Sequence, residues 1–339
     1  MLAGAAINRR PVHEHAGELI GSASHPGPPR HRPNFLQVAA HRPLTRAKYE
    51  KSVRLFISWT RTNGVDPETV TDLDEALAEW FHELYLTRQG TGRSIAEAAL
   101  GGLHMFVPVW KGQLAVSAQA LRGWRNLVPS RAYPPLSWDL TVCIAVHMSC
   151  TGKWHLGVGT LLAFECYLRI GELCSLRRKD VADRNDARLG SAYTGMALRL
   201  KHTKTGKNQW VVVRSPVVKT LVRQLLTLRR DPKALLLGVS AATFRKHFKV
   251  TCAALGLSPR YVPHSLRHGG ATLDYLRKMP LEEILHHGRW ASTKSARHYI
   301  QAGPALLLST SVPPEVAEMA RALVLDVLEA MEQSLPQSH

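Results

Sequence analysis

Acidic residues are scarce in this chain. It carries 26 Asp and Glu against 44 Lys and Arg in 339 residues, a formal net charge of +18. A compact chain with that imbalance repels itself unless a polyanion neutralises it, so nucleic acid is the partner class the composition favours. Cysteine is sparse as well. Cys143, Cys150, Cys166, Cys174 and Cys252 form no CxxC pair, which argues against a zinc site. They read as buried thiols of a reducing compartment. No apolar run reaches the ~18 residues of a membrane span. The opening MLAGAAI is too short, and lacks the basic flank, for a signal peptide. There is no glycine-rich phosphate loop and no internal repeat.

What is present falls into segments. Residues 1–40 are rich in Pro, His, Gly and Arg without periodicity and read as a flexible basic arm. Residues 41–128 read as a helical domain. Tyr49, Val53, Phe56, Ile57 and Thr60 mark one helix face, and Asn63-Gly64 ends it. Thr71 is the expected cap of the next helix, with the stripe Leu73, Ala76, Leu77, Trp80, Phe81 and Leu84. Two more helices are expected, near 93–106 and 117–127. Arg46, Lys48, Lys51, Arg54, Arg61, Arg122 and Arg125 lie on the first and fourth helices and suit phosphate contacts. The prolines of 129–137 suggest a stiff linker.

Residues 138–310 read as a second, mainly helical domain. A β-hairpin is expected from strands 196–201 and 209–214, with Thr203-Lys204-Thr205-Gly206 near its tip. Helices are expected near 217–229 and 241–254. After Pro313 the charge reverses. Val316, Met319, Ala320, Leu323, Val327, Ala330 and Met331 form a stripe opposite Glu315, Glu318, Asp326, Glu329 and Glu332. Residues 311–339 are thus an acidic amphipathic helix that should avoid a polyanion and seek protein, either a neighbouring copy or its own domain.

The densest chemistry lies between Pro263 and Tyr299. His264 and Arg267 stand at i, i+3, so a helix presents both on one face. Leu273, Leu276, Ile284 and Leu285 follow at the spacing of packed helices. Trp290 and Tyr299 are nine positions apart (299 − 290). Upstream, Arg169 and Glu172 share the same i, i+3 relation in LRIGEL, after the apolar run ending at Phe164.

The order of these pieces, LRIGEL, TKT, HSLRH and GRW nine residues before Tyr299, resembles the tyrosine recombinase (phage integrase) family. The resemblance is close over 138–303 and looser over 41–128. It implies a mainly α fold with a small β-hairpin or sheet. It also implies a two-domain DNA clamp, a helical core-binding domain followed by an α+β catalytic domain. It further implies a site-specific DNA recombinase or integrase that cleaves and rejoins DNA through a 3′-phosphotyrosyl intermediate. The alternatives are a relaxing enzyme of the type IB topoisomerase kind and an inactive, domesticated DNA-binding protein.

In that reading Tyr299 is the nucleophile. Arg169 and Arg267 present planar donors to the phosphate oxygens, and Trp290 adds an indole donor where many relatives have His. His264 takes the phenol proton, and Lys204, flanked by Lys201 and Lys207, protonates the leaving 5′-oxygen. Glu172 orients His264 or an arginine. The phosphotyrosine stores the bond energy, so neither metal, ATP nor another cofactor is expected. The expected partner is double-stranded DNA, gripped by a homotetramer on two sites. The expected location is intracellular, in a nucleus or nucleoid. In the family, an element after the nucleophile often docks on a neighbouring protomer.

Overall fold

The computed structural model describes residues 36, 39–129, 133–184, 186, 195–202, 206–301 and 312–333. Most of the expected arm (1–40), and Lys204 at the hairpin tip, lie outside the described residues. Among the described residues no helix is long and apolar enough to cross a membrane. The architecture is mainly helical with one small sheet, and the chain divides into two compact units, residues 1–131 and 132–339.

The first unit holds α1 (Pro43–Thr62), α2 (Val70–Thr87), α3 (Arg93–Phe106) and α4 (Ala115–Leu127). Pro43 opens α1, where its missing N–H costs nothing. The cap of α2 is Thr69 rather than Thr71. Asp72, three residues on, returns a bond to the Thr69 N–H, and a Thr-x-x-Asp pair satisfies two orphan donors where Thr71 would satisfy one. Apolar spacing then brings Val53, Phe56, Leu73, Leu77, Trp80, Phe81, Leu103 and Trp124 into one core. Each such burial contributes roughly 1.5–3 kcal/mol. Buried Asp74 accepts the N–H groups of Val116 (2.7 Å) and Ser117 (2.9 Å), tying the start of α4 to α2.

The second unit is built on α5 (Trp138–Cys150) and α6 (Trp154–Glu165), each buried along most of its length and therefore central. Then come α7 (Ile170–Ser175), β1 (Val181–Ala182), β2 (Met196–His202) and β3 (Lys207–Val213). The sheet is antiparallel in the order β1-β2-β3, with Leu198 opposite Val211 and Met196 opposite Val213, all four buried. Buried Asp180 lies 3.2 Å from Arg199 and 3.1 Å from Lys201, which holds β2 in place. Helices α8 (Pro216–Leu228), α9 (Ala241–Ala254), α10 (Pro263–Leu276), α11 (Leu281–Gly288) and α12 (Thr293–Arg297) complete the frame around α5 and α6. Helix α10 sits hard against α6. A Cβ on Gly269 or Gly270 would fall 2.0 Å from the Leu136 carbonyl or 2.2 Å from the Phe164 carbonyl.

Four expectations change. Residues 134–136 of the expected linker are buried in the second unit, where Leu136 donates its N–H to the Ser265 carbonyl at 3.2 Å. Cys150 is exposed, whereas the other four cysteines are buried. Leu276 lies 44% exposed at the end of α10, past the last turn that packs. The tail is two helices, α13 (Pro314–Leu325) and α14 (Val327–Glu332), broken at Asp326. Its stripe is spent inside its own unit. Ala320, Val327 and Met331 are buried in the core, and Val316 and Leu323 pack against it. The Trp154 indole donates to the Met331 carbonyl at 2.8 Å. Among the described large apolar side chains of the tail, only Met319 (41% exposed) and Leu325 (85%) are exposed, so of the two expected partners the stripe meets its own domain.

Candidate active site

Four breaks in helical structure converge on one place. The first follows α6. Tyr167 adopts a left-handed backbone (φ 46), and Arg169 then caps α7. Glu172 accepts the Arg169 backbone N–H at 3.0 Å and its guanidinium at 2.7 Å. This fixes Arg169 from both ends and leaves its side chain about one-fifth exposed. The hydrogen bonds of the Glu172 carboxylate thus go to arginines. Its second partner is Arg289, 3.4 Å away.

The second break is the start of α10, which supplies His264, Arg267 and His268. Arg267 is fully buried and donates to the carbonyls of Tyr167 and of Gly288, the latter at 2.8 Å. The third is the end of α11, where Arg289 is left-handed (φ 56) and Trp290 folds back over Gly288. A Cβ there would lie 1.9 Å from the Trp290 ring, so only glycine lets the indole seat. The fourth is the turn after α12, which carries Tyr299. Thr272 Oγ1 donates to the Tyr299 carbonyl at 3.3 Å and accepts from the Gln301 N–H at 3.0 Å, pinning that turn to α10.

The Tyr299 ring is half-buried in a ring of cations and aromatics. The Arg267 guanidinium carbon stands 4.9 Å from its centroid and 4.6 Å from that of Trp290. These contacts are cation–π in kind. Trp290 lies 4.9 Å from Tyr299, His264 5.5 Å and His268 4.8 Å, centroid to centroid. Arg169, His264, Arg267, Trp290 and Tyr299 are thus brought together, with Glu172 behind them. Lys201, which flanks the undescribed Lys204, is paired with Asp180 at 3.1 Å.

Electrostatics mark the place as short of negative charge. Burial, then Arg267 and Arg169, lower the His264 pKa to about 4. Burial and the flanking His264 and His298 lower that of His268 to about 3. Burial first, then Arg169 and Arg289, lower that of Arg267. The Trp290 indole nitrogen, Arg267 Nε, Arg289 Nε and His268 Nε2 are all buried with no hydrogen-bond partner among the described residues. Unpaired buried donors are costly, and a bound anion would satisfy them. Among the described residues no group of His, Cys, Asp and Glu could hold a metal ion.

Sequence reasoning passed over His268, His298, Tyr167 and Arg289. His268 had a signal, since it stands at i+4 from His264 on the same helix face. His298 sits 5.5 Å from the Tyr299 ring as its chain neighbour. The basic residues assigned to phosphate contacts are spread over the first unit. Arg46 is half-buried on α1, while Lys48, Lys51 and Arg122 are exposed. Arg54 is held by Glu50 at 2.9 Å and Arg125 by Glu97 at 3.1 Å.

A helical frame, a small antiparallel sheet and a tyrosine set among arginines define the class to which the comparisons point. Residues 142–305, just under half of the chain, match the phage integrase family. The integrases of Mycobacterium phage D29 and Mycobacterium phage FRAT1 are each 27% identical over 166 residues. That match covers 44% of this chain, and 44% and 50% of theirs, so the chain spans about half the length of these relatives or less. The fold is similar to that of a lambda integrase dimer bound to a COC′ core site. The TM-score is 0.56 at 15% identity, over 79% of this chain and 92% of that one. It is also similar to XerH site-specific recombinase bound to palindromic difH substrate. Here the TM-score is 0.51 at 16% identity, over 83% and 79%.

Proposed function

We propose that this chain is a site-specific DNA recombinase that cleaves and rejoins duplex DNA through a 3′-phosphotyrosyl intermediate. The observation that carries the reading is the Tyr299 ring packed beneath the Arg267 guanidinium, beside an unpartnered indole N–H and two neutral histidines. A scissile phosphate placed there meets donors from Arg169, Arg267 and Trp290. Charge that develops on its non-bridging oxygens is stabilised by groups already fixed in position.

Tyr299 Oη then attacks phosphorus. The Oη–P bond forms, the P–O5′ bond breaks, and the phenol proton passes to His264. With its pKa near 4, His264 is a neutral acceptor at pH 7. Lys204 gives a proton to the departing 5′-oxygen. A 5′-hydroxyl from the same or another strand reverses the steps. The phosphodiester energy stays in the tyrosyl bond, so neither metal nor ATP is required. Exchange between two duplexes needs four such sites, hence a homotetramer on two DNA sites. The first unit serves as the core-binding domain, with Arg46, Lys48, Lys51, Arg54, Arg122 and Arg125 on backbone phosphates. The protein works where the DNA is, in a nucleus or nucleoid.

The test is a pool of nicked duplexes of randomised sequence, incubated with protein and resolved on a denaturing gel. The parent should form a covalent adduct, and Tyr299→Phe should bind DNA equally and form none. An adduct of undiminished yield in Tyr299→Phe would place the nucleophile elsewhere. Tyr275 would be the next candidate, being 47% exposed where Tyr261 is buried.

A further inference from the structure

Arg289 sits where a helix ends in the left-handed backbone region, a position glycine takes without steric cost. Instead it carries a long cation that is buried, with 8% exposure. Its Nη1 donates to the carbonyls of Cys166 at 3.2 Å and His287 at 3.0 Å. Its Nη2 lies 3.2 Å from the Tyr167 carbonyl and 3.4 Å from Glu172 Oε2. Those last two acceptors are the anchors of the two site arginines. Glu172 holds Arg169, and the Tyr167 carbonyl holds Arg267. Tyr167 is itself left-handed, which turns that carbonyl toward both guanidinium groups. Its hydroxyl, bonded to Asp274, ties the residue to α10.

We propose that Arg289 is a positioning residue, a planar fork that joins the anchors of Arg169 and Arg267 and so sets the spacing of the two donors facing the scissile phosphate. This rests on the recombinase reading above. The fork matters because two nitrogens fixed in one plane meet four acceptors at once, which the single ammonium of a lysine on its flexible stem cannot do. Residues that orient metal ligands from behind are worth about 10- to 100-fold in activity, and the same order is expected of one that orients two donors.

The test uses the full chain and the same randomised nicked duplexes. Arg289→Gly suits the backbone and deletes the fork. It should slow single-turnover adduct formation about 10- to 100-fold, with duplex affinity unchanged, and low-millimolar guanidinium chloride should restore part of the lost rate. Arg289→Lys keeps charge and length, and should remain slow without rescue. A rate equal to the parent in either variant overturns the assignment. So does an Arg289→Gly variant that is slow, melts early and ignores guanidinium, because Arg289 would then serve stability alone. If Arg289→Gly does not fold, Arg289→Lys decides by its rate. A parent that forms no adduct sinks the recombinase reading and this inference with it. A parent that cleaves beside an equally fast Arg289→Gly sinks only the role of Arg289.

Discussion

The chain spends its basic residues in two ways. On α1 of the first unit, Arg54 reaches back one turn to Glu50 at 2.9 Å, with both side chains just over a third exposed. Around Tyr299, Arg267 is fully buried, its hydrogen-bond partners are backbone carbonyls, and Arg289 shares the single carboxylate of Glu172 with Arg169. The first pair is screened by water and contributes little. The second group carries three guanidiniums against the one carboxylate of Glu172 with far less water around them, so its charge is unspent. A count of lysines and arginines cannot separate these two kinds. Burial and partners can.

The sharpest way to break this contrast is Arg267→Ala. If the buried charge is held for an anion, adduct formation should fall by roughly 10²–10³, the usual cost of one preorganised donor. A single-turnover assay measures it, and a drop no larger than that of Arg54→Ala would erase the distinction between the two regions.

Next in size is the tail. Met331→Ala should destabilise the second unit by about 2–5 kcal/mol through the void left beside Gly157 and Ser149. Denaturant unfolding reads this. A variant of parental stability would return the tail stripe to the role of an exposed anchor.

Acid should act on the site and not on α1. The folded pKa values of His264, His268 and His287 lie near 4, 3 and 4, below the ordinary 6.5. The unfolded chain therefore takes up these protons first. Stability is complete above about pH 6.5 and is lost as pH falls toward 4, by about 1–2 kcal/mol per histidine at pH 5. Urea midpoints from pH 7.5 to 5 should show the slope, and His268→Asn should flatten it. A midpoint that is flat across that range would mean the imidazoles are solvated.

The smallest effect belongs to Arg54→Ala, about 0.3–0.5 kcal/mol at low salt and nothing at high salt. A loss several times larger would show that α1 holds its charge as tightly as the site does.

Much of this was readable from residue order. The helices at 93–106 and 241–254 and the two long strands follow from period and spacing, which are local properties, whereas Arg169, His264, Arg267, Trp290 and Tyr299 are singled out by a motif order that resembles a family, and Lys204 lies outside the described residues. The remainder depends on three-dimensional neighbours. An apolar stripe such as Val316 to Met331 has the same pattern whether it meets a neighbouring copy or α5. Arg289, between a glycine and a tryptophan, has no pattern at all. Its importance comes from a left-handed backbone and from carbonyls more than 100 residues away in sequence. Glu172 was visible, but its second partner was not, for the same reason.

The closure of α14 over α5 and α6 sets an order on biosynthesis. Ser149 and Trp154 meet Met331 across 182 and 177 residues of chain. At a translation rate of about 5–20 residues per second, α5 and α6 leave the ribosome roughly 10–40 s before the helix that covers them. The residues of the first unit's own core have all been made by then. The second unit must wait with Trp154 and the Gly157 notch uncovered by Met331, an interval in which apolar surface is open to wrong contacts. A ribosome stalled near Pro313 should yield a nascent chain with a protease-resistant first unit and a second unit that is readily cleaved.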